Sequence, residues 1–183
     1  MNRYQFIHAL RGGLRTFRRA RLRGADLRGI FARRVNLAHA DLRGADLSGA
    51  RLDGADLSGA RLSGASLDGA SLDGADLRGA HVAGVNWTGA NLTGADLRGA
   101  HLSGASLDGA DLRGADLRGA HVAGVDWTGA NLREAWLDTG ELAAIEDQGG
   151  ARFMTGAIIS HTQDAGDTAP GERIRDTGRD GDA

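Results

Sequence analysis

Apolar residues in this chain recur every five positions. In Ala45-Asp46-Leu47-Ser48-Gly49 and Ala55-Asp56-Leu57-Ser58-Gly59 the first and third places are apolar, the second and fourth polar, and the fifth is glycine. The frame holds from Arg15 to Thr139 without an insertion: 25 pentads, with Ala first in 20, Leu central in 19 and Gly last in 20. Chance does not produce such a run, and a period of five excludes a coiled coil, whose apolar period is about 3.5. The alternation within each pentad is that of a strand with one buried face. Glycine in fifth place supplies a corner residue that tolerates positive φ. Each pentad therefore predicts a very short strand followed by a turn. A small Ala beside a larger Leu suits a narrow interior.

A longer period supports this reading. The block from His81 to Leu92 recurs from His121 to Leu132, and His101 lies midway. An offset of 40 residues is two turns of 20, or four pentads per coil. The pattern A-(D/N)-L-x-x, as in Ala75-Asp76-Leu77-Arg78-Gly79 and Ala90-Asn91-Leu92-Thr93-Gly94, resembles the pentapeptide-repeat family. The resemblance implies an all-β fold, a right-handed quadrilateral parallel β-helix with the first and third residues of each pentad inward. Twenty-five pentads make about six coils, a rod about 30 Å long at the usual strand spacing.

Around this rod the expected divisions are an N-terminal cap over residues 1–14, the repeat over 15–139, a C-terminal cap or dimerisation segment over 140–160, and a disordered tail over 161–183. The apolar cluster Tyr4, Phe6, Ile7 and Leu10 suits a small helix or irregular cap over the first coil's open edge. The pentad Ile30-Phe31-Ala32-Arg33-Arg34 breaks the pattern and suggests a local bulge. At the other end Gly140 to Glu146 suits a helical turn, and the resemblance implies a homodimer through this segment. Phe153, Met154, Ile158 and Ile159 add a second apolar patch. The tail is polar, as disordered segments are.

Stacking residues 20 apart sorts the outward side chains into four faces. The first carries His81, His101 and His121 in one column beside Ala83, Ser103 and Ala123. Three imidazoles in a row raise a metal or pH-sensitive site, against solvated histidine inherited by duplication. Ligands in a straight line do not surround an ion and no carboxylate stands among them, so no metal is expected, and a partner contact is the stronger functional reading. The second face is the most acidic, with Asp46, Asp68, Asp108 and Asp126. Trp87 and Trp127 stand at its inward centres, where core filling outweighs a ligand-stacking role. The third face is mixed. The fourth stacks Asp56, Asp76, Asp96 and Asp116 beside Arg78, Arg98 and Arg118, a stripe expected to be neutralised by its arginines rather than to imitate phosphates.

Composition narrows the function classes. A net charge of −2 implies no bulk electrostatic partner. There is no cysteine, hence no disulfide, thiolate site or cysteine nucleophile, which suits a cytoplasmic setting. No signal peptide or membrane-spanning run is visible. No catalytic constellation or phosphate-binding loop stands out, and the filled interior leaves no pocket for a cofactor. The N-terminal end is basic, with Arg15, Arg18, Arg19, Arg21 and Arg23 meeting no acid before Asp26. Three functions are thereby in play: a non-enzymatic protein-interaction scaffold, a DNA mimic binding gyrase or another topoisomerase as in the quinolone-resistance branch of the family, and a nucleic-acid binder through the basic end.

Overall fold

The computed structural model describes residues 3–148, 158–160 and 172–173. From Thr16 to Trp136 the second residue of each pentad forms one parallel bridge to the residue 20 positions on, as in Arg21 to Asp41, Asp41 to Arg61 and Arg61 to His81. The chain therefore returns onto itself every four pentads. One column alone links Thr16, Asn36, Asp56, Asp76, Asp96, Asp116 and Trp136.

The backbone accounting explains why so short a unit holds. In each pentad the second and third residues bond to the neighbouring coils: Asp41 N–H donates to Ala20 O at 2.9 Å and Leu42 N–H to Arg61 O at 2.8 Å. The corner N–H does the same, Gly49 to Asp68 O at 2.8 Å. The next pentad's first N–H closes the turn, Ala50 to Leu47 O at 2.9 Å. Where Asp or Asn holds the second place, its side chain meets the fourth N–H: Asp46 Oδ1 accepts from Ser48 N–H and Asn86 Oδ1 from Thr88 N–H, both at 3.0 Å. Asp or Asn in that place is thus a turn-forming residue before it is a charge. Only two residues stay extended between corners, so pairing shrinks to single bridges. Among the described residues, longer strand pairing begins at the last pentad, residues 135–139.

The interior is a closed stack. Central and first-place side chains such as Leu47, Leu67, Ala90 and Leu107 are 0–2% exposed. Complete burial of each Leu contributes about 1.5–3 kcal/mol. Trp87 and Trp127 are fully inside, with Val85 and Val125 beside them in place of Ala. Their burial rules out ligand stacking, and the indole N–H of each has no partner.

A first helix, α1 (Arg3–Arg11), closes the lower end. Phe6 and Leu10, one helical turn apart, are buried, and the Phe6 ring meets Phe17 edge-on at 4.5 Å. Gly13, at φ 90°, ends the helix while Leu14 N–H bonds back to Ala9 O. The expected bulge at Ile30–Arg34 is absent. Phe31 bridges to Arg51, and Ala32 and Arg34 N–H bond to Arg51 O and Asp53 O at 2.8 Å. Register survives because Arg34 itself adopts φ 55° at the corner.

At the upper end a strand β1 (Trp136–Asp138) runs into helix α2 (Thr139–Gln148). Parallel to β1 lies β2 (Ile158–Ser160), and β3 (Glu172–Arg173) pairs antiparallel to β2. Of the apolar patch expected here, Ile158 and Ile159 fall in β2, while Phe153 and Met154 lie outside the described residues, as does the tail apart from β3.

Candidate interaction surfaces

The first face presents an aromatic ladder. The His81 and His101 rings lie 4.9 Å apart and within 7° of parallel, and His101 and His121 4.6 Å apart and within 5°. These spacings are the coil-to-coil distance, so the stacking is imposed by the bridges beneath. All three side chains are exposed. Crowding against its neighbours lowers the pKa of His101, and charge on His121 and His81 lowers it further. Among the described residues no three His, Cys, Asp or Glu side chains converge to hold a metal ion.

On the second face the carboxylates expected as a group have separate local tasks. Asp46 accepts from the Ser48 hydroxyl at 2.6 Å and Asp126 from the Thr128 hydroxyl at 2.6 Å, and these bonds hold both acids below the usual carboxylate range. Asp68 and Asp108 are both exposed, in fourth places. Arg28 reaches Asp46 at 3.6 Å from below.

The stripe on the fourth face is a two-way zipper. Arg78 grips Asp76 in a fork, Nε to Oδ1 at 2.9 Å and Nη2 to Oδ2 at 2.6 Å, while its Nε lies 3.6 Å from Asp96 in the next coil. Arg98 repeats the arrangement with Asp96 and Asp116, and Arg118 grips Asp116. Hydrogen bonding to the guanidinium of Arg78 or Arg98 holds Asp76 and Asp96 below the ordinary range. Arg118 also lies 5.2 Å over the Trp136 ring.

At the lower end Arg15, Arg18, Arg19, Arg21 and Arg23 are all exposed. The structure separates Arg15 from the rest: its guanidinium donates to the carbonyls of Leu10 at 2.8 Å and Leu14 at 3.0 Å. The other four form no ion pair among the described residues. Sequence reasoning missed what lies beside them. Arg3 and Arg28 converge on Asp26 at 2.8 and 3.0 Å, and Phe31, in an outward second place, leaves 74% of its surface exposed. Its apolar ring in a column otherwise polar was the available signal, and it was read as a fault in the repeat.

Comparison with known proteins adds the following. The family model for pentapeptide repeats matches in several copies, over residues 17–54, 45–82, 75–114 and 110–137. No curated protein matches the chain. Among solved structures, a pentapeptide repeat protein from the Arabidopsis thaliana thylakoid lumen is 29% identical, covering 70% of this chain and 80% of its own, with a TM-score of 0.35. Rfr23 from the cyanobacterium Cyanothece 51142 is 31% identical over 69% of this chain and 92% of its own, TM-score 0.34. QnrB1, a plasmid-mediated fluoroquinolone resistance protein, is 22% identical over 67% and 70%, TM-score 0.35. At these TM-scores the likeness carries no functional argument.

Proposed function

The chain belongs to the pentapeptide-repeat family, and from that premise we propose that it is a non-enzymatic scaffold, a right-handed four-sided rod of about six coils whose surfaces engage a protein partner. The observation that carries this reading is the closed interior: the repeat buries nearly all of its first- and third-place side chains, Trp87 and Trp127 among them, and keeps its chemistry on the outer faces. Catalysis is expected in concave sites, and the rod's stacked core offers none. The proposed setting is the cytoplasm, consistent with a chain that uses no cysteine. Among the described residues no helix is long and apolar enough to cross a membrane. A homodimer through residues 140–160 belongs to the same reading, and a mass measurement giving a monomer at micromolar concentration would remove it.

The DNA-mimic reading, with gyrase or another topoisomerase as target, has less support. A phosphate mimic needs bare charge at regular spacing, whereas three of the four carboxylates in the regular column, Asp76, Asp96 and Asp116, are bound by arginine forks. A supercoiling assay with purified gyrase separates the two: unchanged activity favours the scaffold, and inhibition or protection from quinolone favours the mimic. The scaffold reading is tested by cross-linking and affinity capture with the full chain as bait. A partner enriched over a rod of scrambled outer faces supports it, and enrichment of nothing above background rejects it.

A further inference from the structure

The near-zero net charge conceals a strongly polar molecule. Residues 1–34 hold ten arginines and a single acid, Asp26, while the remainder holds twelve basic against 23 acidic residues. That one acid is already taken by Arg3 and Arg28. The lower end is thus a concentrated positive pole on an otherwise acidic rod. Within it, between α1 and the first coil, lies an open groove of about 570 Å³, inside the roughly 300–1,000 Å³ range of ligand-binding clefts. Ile7 and Phe31 contribute apolar surface to it, and Arg3, Arg11, Arg15 and Arg28 contribute guanidiniums. Phe31 is held out by the register of its strand and by the guanidinium of Arg51, 5.3 Å from its ring centroid. An exposed aromatic ring ringed by arginine is the composition of a binding hot spot, and of few other surface features.

We propose that this groove docks a short acidic segment of a partner protein, one large apolar side chain resting against Phe31 and Ile7 while flanking Asp and Glu residues meet the arginines. The proposal rests on the scaffold reading and says where and how the partner is held. Charge complementarity selects an acidic occupant. The apolar part argues for a side-chain anchor over a nucleic-acid strand, because strand binding draws on successive stacking rings along a basic track. Here a single ring stands beside an aliphatic side chain. Three of the four guanidiniums are also engaged locally, Arg3 and Arg28 with Asp26 and Arg15 with backbone carbonyls, so their positions are fixed before a ligand arrives.

The test is fluorescence anisotropy on the full chain with a labelled peptide carrying one central Phe between runs of Asp and Glu. The same peptide with Ala at its centre and an oligo-dT of matched charge serve as comparators. We expect saturable binding that weakens with salt, about tenfold weaker binding for the Ala-centred peptide, and about tenfold loss in Phe31→Ala, a change of about 1.4 kcal/mol. Arg11→Ala, at an exposed position, should weaken binding and reduce the salt dependence, whereas His101→Ala, on the first face in a distant coil, should not. Equal binding of the two peptides, equal binding by Phe31→Ala, or tighter binding of oligo-dT overturns the proposal, the last in favour of a nucleic-acid site. A partner captured equally by the wild type and by Phe31→Ala/Arg11→Ala would leave the scaffold standing and remove the groove from it.

Discussion

The fifth residue of every pentad must turn the chain, and most of the energetic individuality of this protein lies in how that demand is met. Arg19, Arg34, His39 and Glu134 turn with φ between 55° and 59°, a region that costs an L-residue roughly 1–2 kcal/mol. His39→Gly should therefore raise stability by about 1 kcal/mol, less the entropy that glycine adds to the unfolded chain, as read by urea denaturation. One coil above, Gly59 sits at φ 60°, and a Cβ there would fall 2.5 Å from His39 Nδ1. Gly69 has a similar φ and nothing within 4 Å. Gly59→Ala should cost more than Gly69→Ala, and the excess should disappear in a His39→Gly background. Equal costs in both backgrounds would show that the His39 ring swings aside freely.

At the scale of elements, the upper cap and the histidine ladder respond to pH in opposite senses. Asp138 precedes α2 and Glu141 reaches back to accept its N–H at 2.6 Å, one half of a capping box. Asp138 Oδ2 in turn accepts from Gly119 N–H, tying the cap to the last coils. Burial raises the pKa of Glu141, and the nearby Asp138 charge adds to the rise. A raised carboxyl pKa favours the fold at low pH and loses that contribution as pH climbs through the folded value. Glu141→Gln keeps an acceptor and removes the charge, so it should stabilise the chain at pH 7 with the gain vanishing near pH 4. Glu141→Ala removes the acceptor as well, so it should be less stable than Glu141→Gln by about 1 kcal/mol at either pH. His101 has the opposite sense. Its pKa is lowered, so the unfolded chain takes up the proton first, and stability should fall as pH drops through about 6.5, the unfolded histidine value. Proton NMR should show His101 titrating below that value, and a normal titration would contradict the stacking.

The columns, the buried Leu and Ala, and the Asp–Arg zipper were legible in the sequence because a strict period of five converts directly into position. What the period could not reveal was content at its irregular points. Phe31 and Arg34 break the consensus yet keep register, since pairing is set by backbone bonds to Arg51 and Asp53 and any residue able to reach positive φ can take the corner. The groove is not encoded in the period, because α1 lies outside the repeat and its approach to Phe31 depends on how Phe6 and Phe17 pack. The acidic face looked collective in one dimension. In three, Asp46 and Asp126 each serve their own turn.

For the molecule as a whole, charge is separated along the sequence to a degree that its near-neutral total hides. A protein with a pI near 6.3 should not adhere to a cation-exchange resin at pH 7.5, yet the positive pole should make this one do so. Replacing Arg18, Arg19 and Arg21 with Ala should release it at markedly lower salt, while replacing the three zipper arginines, Arg78, Arg98 and Arg118, should not. Elution of both variants with the wild type would show that the arginines of the lower end do not act as one field.

The twenty-residue return has a consequence for how such a chain changes over generations. Loss or duplication of a whole return leaves each remaining side chain on its own face and alters only the distance between the two ends. Loss of one pentad instead turns everything downstream by a quarter, carrying imidazoles to where carboxylates stood. The reach of such a rod is therefore adjustable in steps of twenty, with every side chain kept to its own face.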